Sequence, residues 1–295
     1  MTKSFISRVE RVEIELTNTC NLDCVLCARN RVNISENLKI DLDNLKDKLN
    51  TFKNLKYVTL AGEISEPTLY PRLFELITFL HRKNIEISLF TNATKSNIYF
   101  RNLALLFKNT KSKIYLTIFG SNEDLHRRYR KSSLRKVLEI ADIIYNTSPK
   151  NLVMTWVLFQ YNYQDYIENK DFLDKYNEVN VFNTLPYAER YGIDGDIRLP
   201  NDLDKIYLSL DKNDLNGECK SIKNRFAYID VNLNEYPCSL AKHHKCSFED
   251  ISENLQSFCY ECSDNNIKIL SDNKIYTISE SENETSEKDL YIESR

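Results

Sequence analysis

The fold and the chemistry of this chain are indicated by the sequence Cys20-Asn21-Leu22-Asp23-Cys24-Val25-Leu26-Cys27, in which three thiols form a C-x3-C-x2-C cluster. Apolar residues alternate with charged ones just before it, at residues 12–16, and predict a β-strand. Three cysteines so close together can ligate three irons of a cubane iron–sulfur cluster, which leaves the fourth iron without a thiolate. Clusters that only carry electrons normally take all their ligands from the protein. An open iron therefore indicates a metal that binds something else, as the open position of a catalytic zinc site does.

Two simpler interpretations are three unrelated thiols and half of a zinc site. Zinc modules are usually built from C-x2-C pairs, and thiols are scarce in ordinary cytosolic chains. The cluster resembles that of the radical S-adenosylmethionine (SAM) enzymes, whose signature is C-x3-C-x2-C in the loop after the first barrel strand. The resemblance implies a 4Fe–4S cluster whose open iron chelates the amino and carboxylate groups of SAM. In that family, reductive cleavage of SAM gives a 5′-deoxyadenosyl radical that abstracts hydrogen from the substrate.

The composition is that of a globular protein. At 295 residues, the chain is long enough for one large domain or a core with an appendage, and hydrophobic residues make up 42% of it. A net charge of −3 gives no indication of nucleic-acid binding or of a basic membrane-binding face. The N-terminus lacks the apolar core of a signal peptide, and no apolar run is long enough to span a bilayer. We expect a soluble, cytoplasmic protein.

Predicted strands alternate with predicted helices up to about residue 182. The strands are expected at residues 12–16, 56–60, 85–90, 113–119, 152–159 and 179–182, and the helices at 41–52, 71–83, 97–107, 134–145 and 165–176. This alternation predicts a parallel α/β sheet with right-handed crossovers. About six βα units fall short of a closed eight-fold barrel. A partial (β/α)6 TIM-like barrel is the radical SAM architecture, and the resemblance covers roughly residues 8–200.

The candidate SAM-binding residues are expected just after the strands, because ligands bind at the carboxyl ends of parallel strands. The loop after the second strand contains Glu66-Pro67 and resembles the family's GGEP loop, which receives the SAM ammonium group. Ser65 stands where the second glycine would be, and Gly62 lies three residues earlier. Glu63 is the alternative glutamate, but no proline follows it. The simpler interpretation is an ordinary loop whose glutamate faces water.

Other SAM contacts follow from the same resemblance. Leu26 occupies the position of an aromatic residue near the adenine, while Thr117 and Arg130 resemble the family's hydroxyl and arginine contacts. Asn92, at the end of the third strand, is a further candidate. The neighbouring Arg127 and Arg128 are expected to be solvated charges, and His126 a surface histidine rather than a ligand or proton shuttle.

The other five cysteines lie together near the C-terminus, in the spacing C-x18-C-x7-C-x12-C-x2-C. This pattern resembles the auxiliary-cluster domain called twitch, the short form of SPASM. The resemblance implies a second 4Fe–4S cluster whose expected ligands are Cys219, Cys238, Cys259 and Cys262. Four thiolates also suit a structural zinc ion, which is the rival interpretation. Cys246 is left over: it could replace Cys238 as a ligand, donate hydrogen to a substrate radical, or be an inert buried thiol, the interpretation that we favour.

We therefore expect three segments: a radical SAM partial barrel at residues 1–200, a small cysteine-rich hairpin-plus-helix domain at 201–270, and a polar, disordered tail at 271–295. The predicted function is net oxidation of a small polar, sugar-like substrate, assisted by the auxiliary cluster, with a flavodoxin or ferredoxin as electron donor. Too few residues precede the first strand for a leader-peptide domain, which makes peptide modification the second choice. A non-enzymatic iron–sulfur or zinc protein on a vestigial barrel is the third. No nucleic-acid or membrane partner is expected.

Overall fold

The computed structural model describes residues 7–25, 27–183 and 225–238. Its strands, numbered in chain order, are β1 Arg11–Ile14, β2 Tyr57–Leu60, β3 Glu86–Thr91, β4 Lys113–Ile118, β5 Leu152–Leu158, β6 Val179–Asn183, β7 Phe226–Ile229 and β8 Glu235–Tyr236. Its α-helices are α1 Leu42–Thr51, α2 Leu73–Arg82, α3 Asn97–Phe107, α4 Glu123–Tyr129, α5 Leu134–Thr147 and α6 Gln160–Glu168. Short 3-10 helices lie at Ala28–Arg31, Pro67–Leu69, Pro149–Asn151 and Lys170–Leu173.

The strands form a single sheet in the order β6-β5-β4-β3-β2-β1-β7-β8. Strands β1 to β6 are parallel to one another. Strand β7 is also parallel to β1, and Ala227 lies opposite Val12 in this pair. Among the described strands, β8 alone is antiparallel to its neighbour, because it forms a hairpin with β7. Within the described residues the sheet is open, since β6 and β8 do not pair with each other. The predicted partial barrel is confirmed.

The helices cover one face of the sheet and bury an apolar core against it. Alternate strand residues, such as Ile87 and Leu89 of β3, point into this core. In α2, Leu73, Ile77 and Leu80 lie on one face and are fully buried, as their spacing predicts. None of the helices in the described residues is both long and apolar enough to cross a membrane.

The opposite face, the inner face of the partial barrel, is far more polar. Thr117 of β4 pairs in register with Thr155 of β5, which pairs with Asn180 of β6. These three residues, which we call the polar row, alternate with core residues and therefore point away from the helices. One layer towards the amino ends of the strands, the rings of Phe90 and Tyr115 stack with their centroids 4.2 Å apart. The inner face thus combines hydrogen-bonding groups with an aromatic surface.

Two helices differ from the prediction. The helix expected at residues 165–176 begins at Gln160, directly after β5, and ends at Glu168. Asn162 accounts for the early start: its side chain accepts a hydrogen bond from the Phe159 N–H at 2.7 Å, which caps the helix. Helix α4 was not predicted, although Asn122 caps it by accepting from the Leu125 N–H at 3.0 Å. Neither segment has the apolar periodicity on which the prediction relied.

The hairpin expected near residues 226–236 is present, and Asp230 holds its turn. The Asp230 carboxylate accepts hydrogen bonds from the backbone N–H groups of Asn232 and Asn234, both at 2.9 Å. Because β7 pairs with β1, this hairpin belongs to the same sheet as the barrel strands. The boundary near residue 200, the helix expected at 201–211 and the polar tail lie outside the described residues, so the division into domains stays a prediction.

Candidate functional site

The structure brings Cys20, Cys24 and Cys27 together in the loop that follows β1. The charge of each thiolate would act on the others, since both Cys24 and Cys27 affect the pKa of Cys20. The Cys27 N–H donates to the Cys24 carbonyl at 3.1 Å, and Asn30 Nδ2 donates to the same oxygen at 2.9 Å. All three thiols are free of disulfides and partly exposed. The loop is therefore folded around the predicted ligands.

Burial raises the pKa of the Cys20 thiol, and the nearby Glu66 carboxylate adds to this effect. Burial also raises the pKa of Cys24, but a hydrogen bond and the positive charge of Arg130, with the Lys131 N–H, act in the opposite direction. A metal binds the thiolate form, so Arg130 favours the state in which Cys24 is a ligand. No three His, Cys, Asp or Glu residues in the described ranges are placed to hold a single ion. Ligands of a cubane stand further apart, because each binds a different iron.

Glu66 is the centre of the loop after β2. Its side chain is 3% exposed and accepts four hydrogen bonds. Oε1 accepts from the Thr68 N–H at 3.1 Å and from the hydroxyls of Thr68 and Thr91, each at 2.6 Å, while Oε2 accepts from the Asn92 N–H at 2.7 Å. The Glu66 N–H donates to the carbonyl of Thr19, next to the first cysteine, at 2.9 Å. The carboxylate thus ties the β2 loop to the end of β3 and to the cysteine loop, rather than facing water.

Sequence reasoning missed Glu15, which supports the other half of the same loop. Glu15 is 1% exposed, and its carboxylate accepts from the Glu63 N–H at 2.9 Å, from the Ser65 hydroxyl and from the Tyr228 hydroxyl at 2.7 Å. Gly62 makes the turn possible, because it adopts a φ of +68° and an added Cβ would lie 2.4 Å from Ser65 Oγ. In the sequence, Glu15 is one of the charged residues that alternate with apolar ones, a pattern that indicates exposure.

Asn92 lies where it was expected, at the end of β3 beside the first cysteine. Its Nδ2 is 3.9 Å from Cys20 Sγ and donates to Asn21 Oδ1 at 2.9 Å. The following residue, Ala93, adopts a φ of 60°, which is uncommon for a residue other than glycine. Asn92 therefore connects the carboxyl end of β3 to the cysteine loop.

Arg130 lies next to Cys24, at the end of α4. It donates from Nη1 to the carbonyl of Thr117 at 3.1 Å, and its guanidinium lies 4.9 Å from the centre of the Phe119 ring. Of its neighbours, Arg127 and Arg128 are exposed, as predicted. The prediction of a surface histidine at residue 126 is wrong: His126 is fully buried. It lies on the inner side of α4, a helix that sequence reasoning did not identify.

Most of the second cysteine group lies outside the described residues. Cys238 is buried, directly after β8. The structure does not describe Leu26, Cys219, Cys246, Cys259 and Cys262. Pro67 is buried and begins the 3-10 helix after Glu66. The structure therefore brings Cys20, Cys24, Cys27, Glu66, Asn92 and Arg130 together, and their individual contacts to a ligand stay predictions.

A model of the Radical SAM superfamily matches residues 14–173, more than half of the 295-residue chain. The chain belongs to the radical SAM superfamily. Members of this superfamily are enzymes, and the domain implies a 4Fe–4S cluster and SAM. A search of curated proteins found no significant match to the sequence.

The fold of this radical SAM protein is similar to that of SuiB from Streptococcus suis. The structure of SuiB bound to the precursor peptide SuiA has a TM-score of 0.61 at 16% identity, covering 88% of this chain and 67% of that one. SuiB bound to SAM has a TM-score of 0.59 at 16% identity, with coverage of 80% and 61%, so this chain spans less than two thirds of that protein. Native anSMEcpe with bound SAM and the Kp18Cys peptide has a TM-score of 0.51 at 15% identity, with coverage of 85% and 84%. At these identities the likeness shows a shared fold.

The residues of this radical SAM domain fit the cofactors that its family implies. The three thiols are free, partly exposed and held in one loop. Beside them, Arg130 Nε is buried and has no hydrogen-bond partner within the described residues. An unpartnered cationic donor next to these thiols is suited to a carboxylate, the group that SAM presents to the iron in this family. The chemistry of this donor set thus matches a cluster with one open iron.

Proposed function

We propose that Cys20, Cys24 and Cys27 hold the 4Fe–4S cluster of a radical SAM enzyme and that SAM binds beside them. The observation that carries this proposal is the position of the three thiols, beyond the carboxyl ends of parallel strands and in contact with Asn92 and Arg130. When bound, the cluster and SAM supply a 5′-deoxyadenosyl radical that removes a hydrogen atom from a substrate C–H bond. The protein binds and orients the reactants and excludes water from the site.

Each nearby residue has a proposed part in holding SAM. Arg130 clamps the carboxylate, using the donor that has no partner within the described residues. Glu66 orders the loop that receives the ammonium group, since both of its oxygens are already engaged by protein donors. Thr117 contributes a hydroxyl, Leu26 packs against the adenine, and Asn92 supports Cys20. Pro67 starts the 3-10 helix that lets Glu66 reach Thr68.

The polar inner face of the partial barrel favours a small polar substrate in our proposal. Thr155 is 2% exposed and its hydroxyl has no hydrogen-bond partner in the described residues, while Asn180 beside it is 8% exposed. A buried hydroxyl without a partner costs stability, and a polar ligand on the inner face that hydrogen-bonds to it would remove this cost. The stacked rings of Phe90 and Tyr115 one layer away offer a surface for a sugar-like ring. We propose net oxidation of such a substrate, with Cys219, Cys238, Cys259 and Cys262 holding an auxiliary 4Fe–4S cluster and a flavodoxin or ferredoxin as electron donor.

A peptide substrate is the second candidate. It is favoured by the similar folds of SuiB, solved with the precursor peptide SuiA, and of anSMEcpe, solved with the Kp18Cys peptide. In that case Cys246 could donate hydrogen to a peptide radical. With a peptide substrate, the polar row would meet backbone amides instead of hydroxyls.

The proposal is tested by measuring 5′-deoxyadenosine after anaerobic reconstitution with iron and sulfide and reduction with dithionite in the presence of SAM. We expect the wild-type chain to cleave SAM and Cys24→Ser to lose this activity by at least about 1,000-fold, because the cluster has no third ligand. Cys259→Ser is the matched control: it removes a thiol from the second group and should leave SAM cleavage without substrate intact. Cleavage by Cys24→Ser at the wild-type rate would contradict the assignment.

A further inference from the structure

Arg130 connects three parts of the proposed site, so its position matters. The guanidinium donates to the Thr117 carbonyl at 3.1 Å and lies 4.9 Å from the Phe119 ring centre. The cysteine loop adjoins it, because the Val25 N–H, next to Cys24, donates to the Tyr129 carbonyl at 3.1 Å. Although burial raises the pKa of Cys24, the charge of Arg130 acts to lower it. A guanidinium on a thiolate ligand stabilises negative charge on the cluster. Hydrogen bonds to the sulfurs are among the features that set the reduction potentials of such clusters.

The helix that carries Arg130 is short and needs support from elsewhere. Helix α4 has seven residues, fewer than a helix needs to be stable on its own. Its start is fixed by close packing, because a Cβ on Gly120 would lie 2.4 Å from Leu125 Cβ. The Ser121 N–H also donates to the Asp165 carboxylate at 2.7 Å. These contacts hold the first turn of α4, whereas Arg130 follows its last residue.

His126 supplies the contacts further along the helix. Its ring is fully buried, and Nδ1 accepts a hydrogen bond from the Phe119 N–H at 3.3 Å. Nδ1 is therefore unprotonated, so the ring proton is on Nε2, which lies 3.4 Å from Ser132 Oγ. Burial, with the charge of Arg130, lowers the pKa of His126 to about 3, which keeps the ring neutral at physiological pH.

The same histidine reaches both supports of Arg130. Its ring packs edge-on against Phe119, with the centroids 5.8 Å apart, and Phe119 is the ring on which the guanidinium lies. Its carbonyl accepts from the Arg130 N–H at 3.0 Å. His126 thus contacts the Phe119 ring that packs against the Arg130 guanidinium, and it also hydrogen-bonds to the Arg130 backbone.

We propose that His126 is a positioning residue, a neutral imidazole that joins the end of β4 to α4 and thereby holds Arg130 against the Cys24 ligand of the cluster. The proposal rests on the proposed function, since it assumes a cluster on Cys24. It adds a residue that is neither one of the proposed cluster ligands nor one of the proposed SAM contacts. Replacing His126 should therefore move Arg130 away from Cys24 and change the properties of the cluster in the same way as replacing Arg130 does.

The test measures the midpoint potential of the N-terminal cluster, monitored by EPR in the anaerobically reconstituted chain. That chain carries Cys259→Ala and Cys262→Ala, which leave only two of the four predicted ligands of the second site. In this background Arg130→Gln should shift the potential to more negative values, and His126→Phe should shift it in the same direction. SAM cleavage should fall by about 10- to 100-fold in both, as is typical when a residue behind a metal ligand is changed. His126→Asn keeps an acceptor for the Phe119 N–H and should restore most of the wild-type potential.

Two further variants separate positioning from general damage. His126→Phe added to Arg130→Gln should cause no further shift in potential, because His126 acts through Arg130. His81→Phe is the matched control, as His81 also contacts a serine hydroxyl, Ser112 Oγ at 2.9 Å, but lies in α2.

A folded His126→Phe variant with the wild-type midpoint potential overturns the proposal. So does a His126→Phe change that shifts the potential by the same amount in the wild-type and the Arg130→Gln backgrounds. If His126→Phe does not fold, His126→Asn and His126→Gln are compared instead, and wild-type potentials in both overturn it. Failure of the wild-type chain to form a cluster would instead contradict the proposed function.

Discussion

Two buried threonines, Thr155 and Thr91, differ in whether their hydroxyls have a hydrogen-bond partner in the described residues. The Thr155 hydroxyl has no partner in the described residues, whereas the equally buried Thr91 donates to Glu66 at 2.6 Å. Valine has nearly the shape of threonine without the hydroxyl. We expect Thr155→Val to raise the free energy of unfolding of the cluster-free chain by about 1 kcal/mol, because it removes an unpaired buried polar group. Urea unfolding followed by circular dichroism measures this change.

Thr91→Val is the control for that prediction. It should lower the free energy of unfolding by about 1.5–3 kcal/mol, because Glu66 loses one of its hydrogen bonds. A Thr155→Val variant that is destabilised to the same degree would show that the Thr155 hydroxyl already has a partner, and would remove the argument for a ligand on the polar row.

The residue types that could be assigned from the sequence are those whose chemistry is rare. Cysteine is scarce in reduced proteins, so three thiols in a C-x3-C-x2-C spacing predict Cys20, Cys24 and Cys27 as metal ligands without tertiary information. Glu15 and His126 could not be assigned in this way, because glutamate and histidine are common on surfaces. Their burial depends on β7 and α4, two elements that are distant in sequence or lack periodicity. Tertiary contacts, not local pattern, give these residues their parts in the site.

Elements were predictable where local signals agreed. Helix α3 matches its predicted range, because a serine cap and an apolar stripe coincide there. The short α4 and the start of α6 depend on asparagine side chains that bond to the backbone, and such caps are hard to distinguish from turns. The place of the hairpin in the sheet, next to β1, has no local signal at all, because pairing between distant strands is set by the whole fold.

The hairpin has a direct connection to the proposed SAM site through Tyr228. Its hydroxyl donates to the Glu15 carboxylate at 2.7 Å, and Glu15 holds the loop of Glu63 and Ser65. We expect Tyr228→Phe to lose about 1.5–3 kcal/mol of stability, because the buried Glu15 charge keeps fewer donors. We also expect about tenfold weaker SAM binding, equivalent to about 1.4 kcal/mol, measured by equilibrium dialysis of the reconstituted protein.

Tyr176→Phe is the matched control for this coupling. The Tyr176 hydroxyl also donates to a carboxylate, that of Asp142 at 2.9 Å, but Asp142 lies in α5, on the helix side of the sheet. This variant should leave SAM affinity unchanged. Equal SAM affinity in Tyr228→Phe and in the wild type would show that the hairpin supports the fold without supporting the loop.

For the whole molecule, the division of the eight cysteines into two groups predicts two metal centres. Three thiolates with an open iron suit SAM chemistry, and four thiolates suit either a closed 4Fe–4S cluster or a zinc ion. Of the second group, the described residues include Cys238, which is buried two residues after β8, a strand of the same sheet as β1.

Metal content after anaerobic reconstitution distinguishes these arrangements. Two cubanes require about eight irons per chain, one cubane and a zinc site about four irons and one zinc. We expect about eight irons, with about four lost in Cys24→Ser and about four lost in the Cys259→Ala/Cys262→Ala double variant, each variant keeping the centre that it does not touch. Loss of all iron in either variant would mean that each centre needs the other in order to fold. Such dependence is compatible with the pairing of β7 with β1 in one sheet. Zinc that persists in Cys24→Ser and disappears in the Cys259→Ala/Cys262→Ala double variant would identify the second site as structural. The substrate would then have to lose its electron by a route that does not involve the C-terminal cysteines.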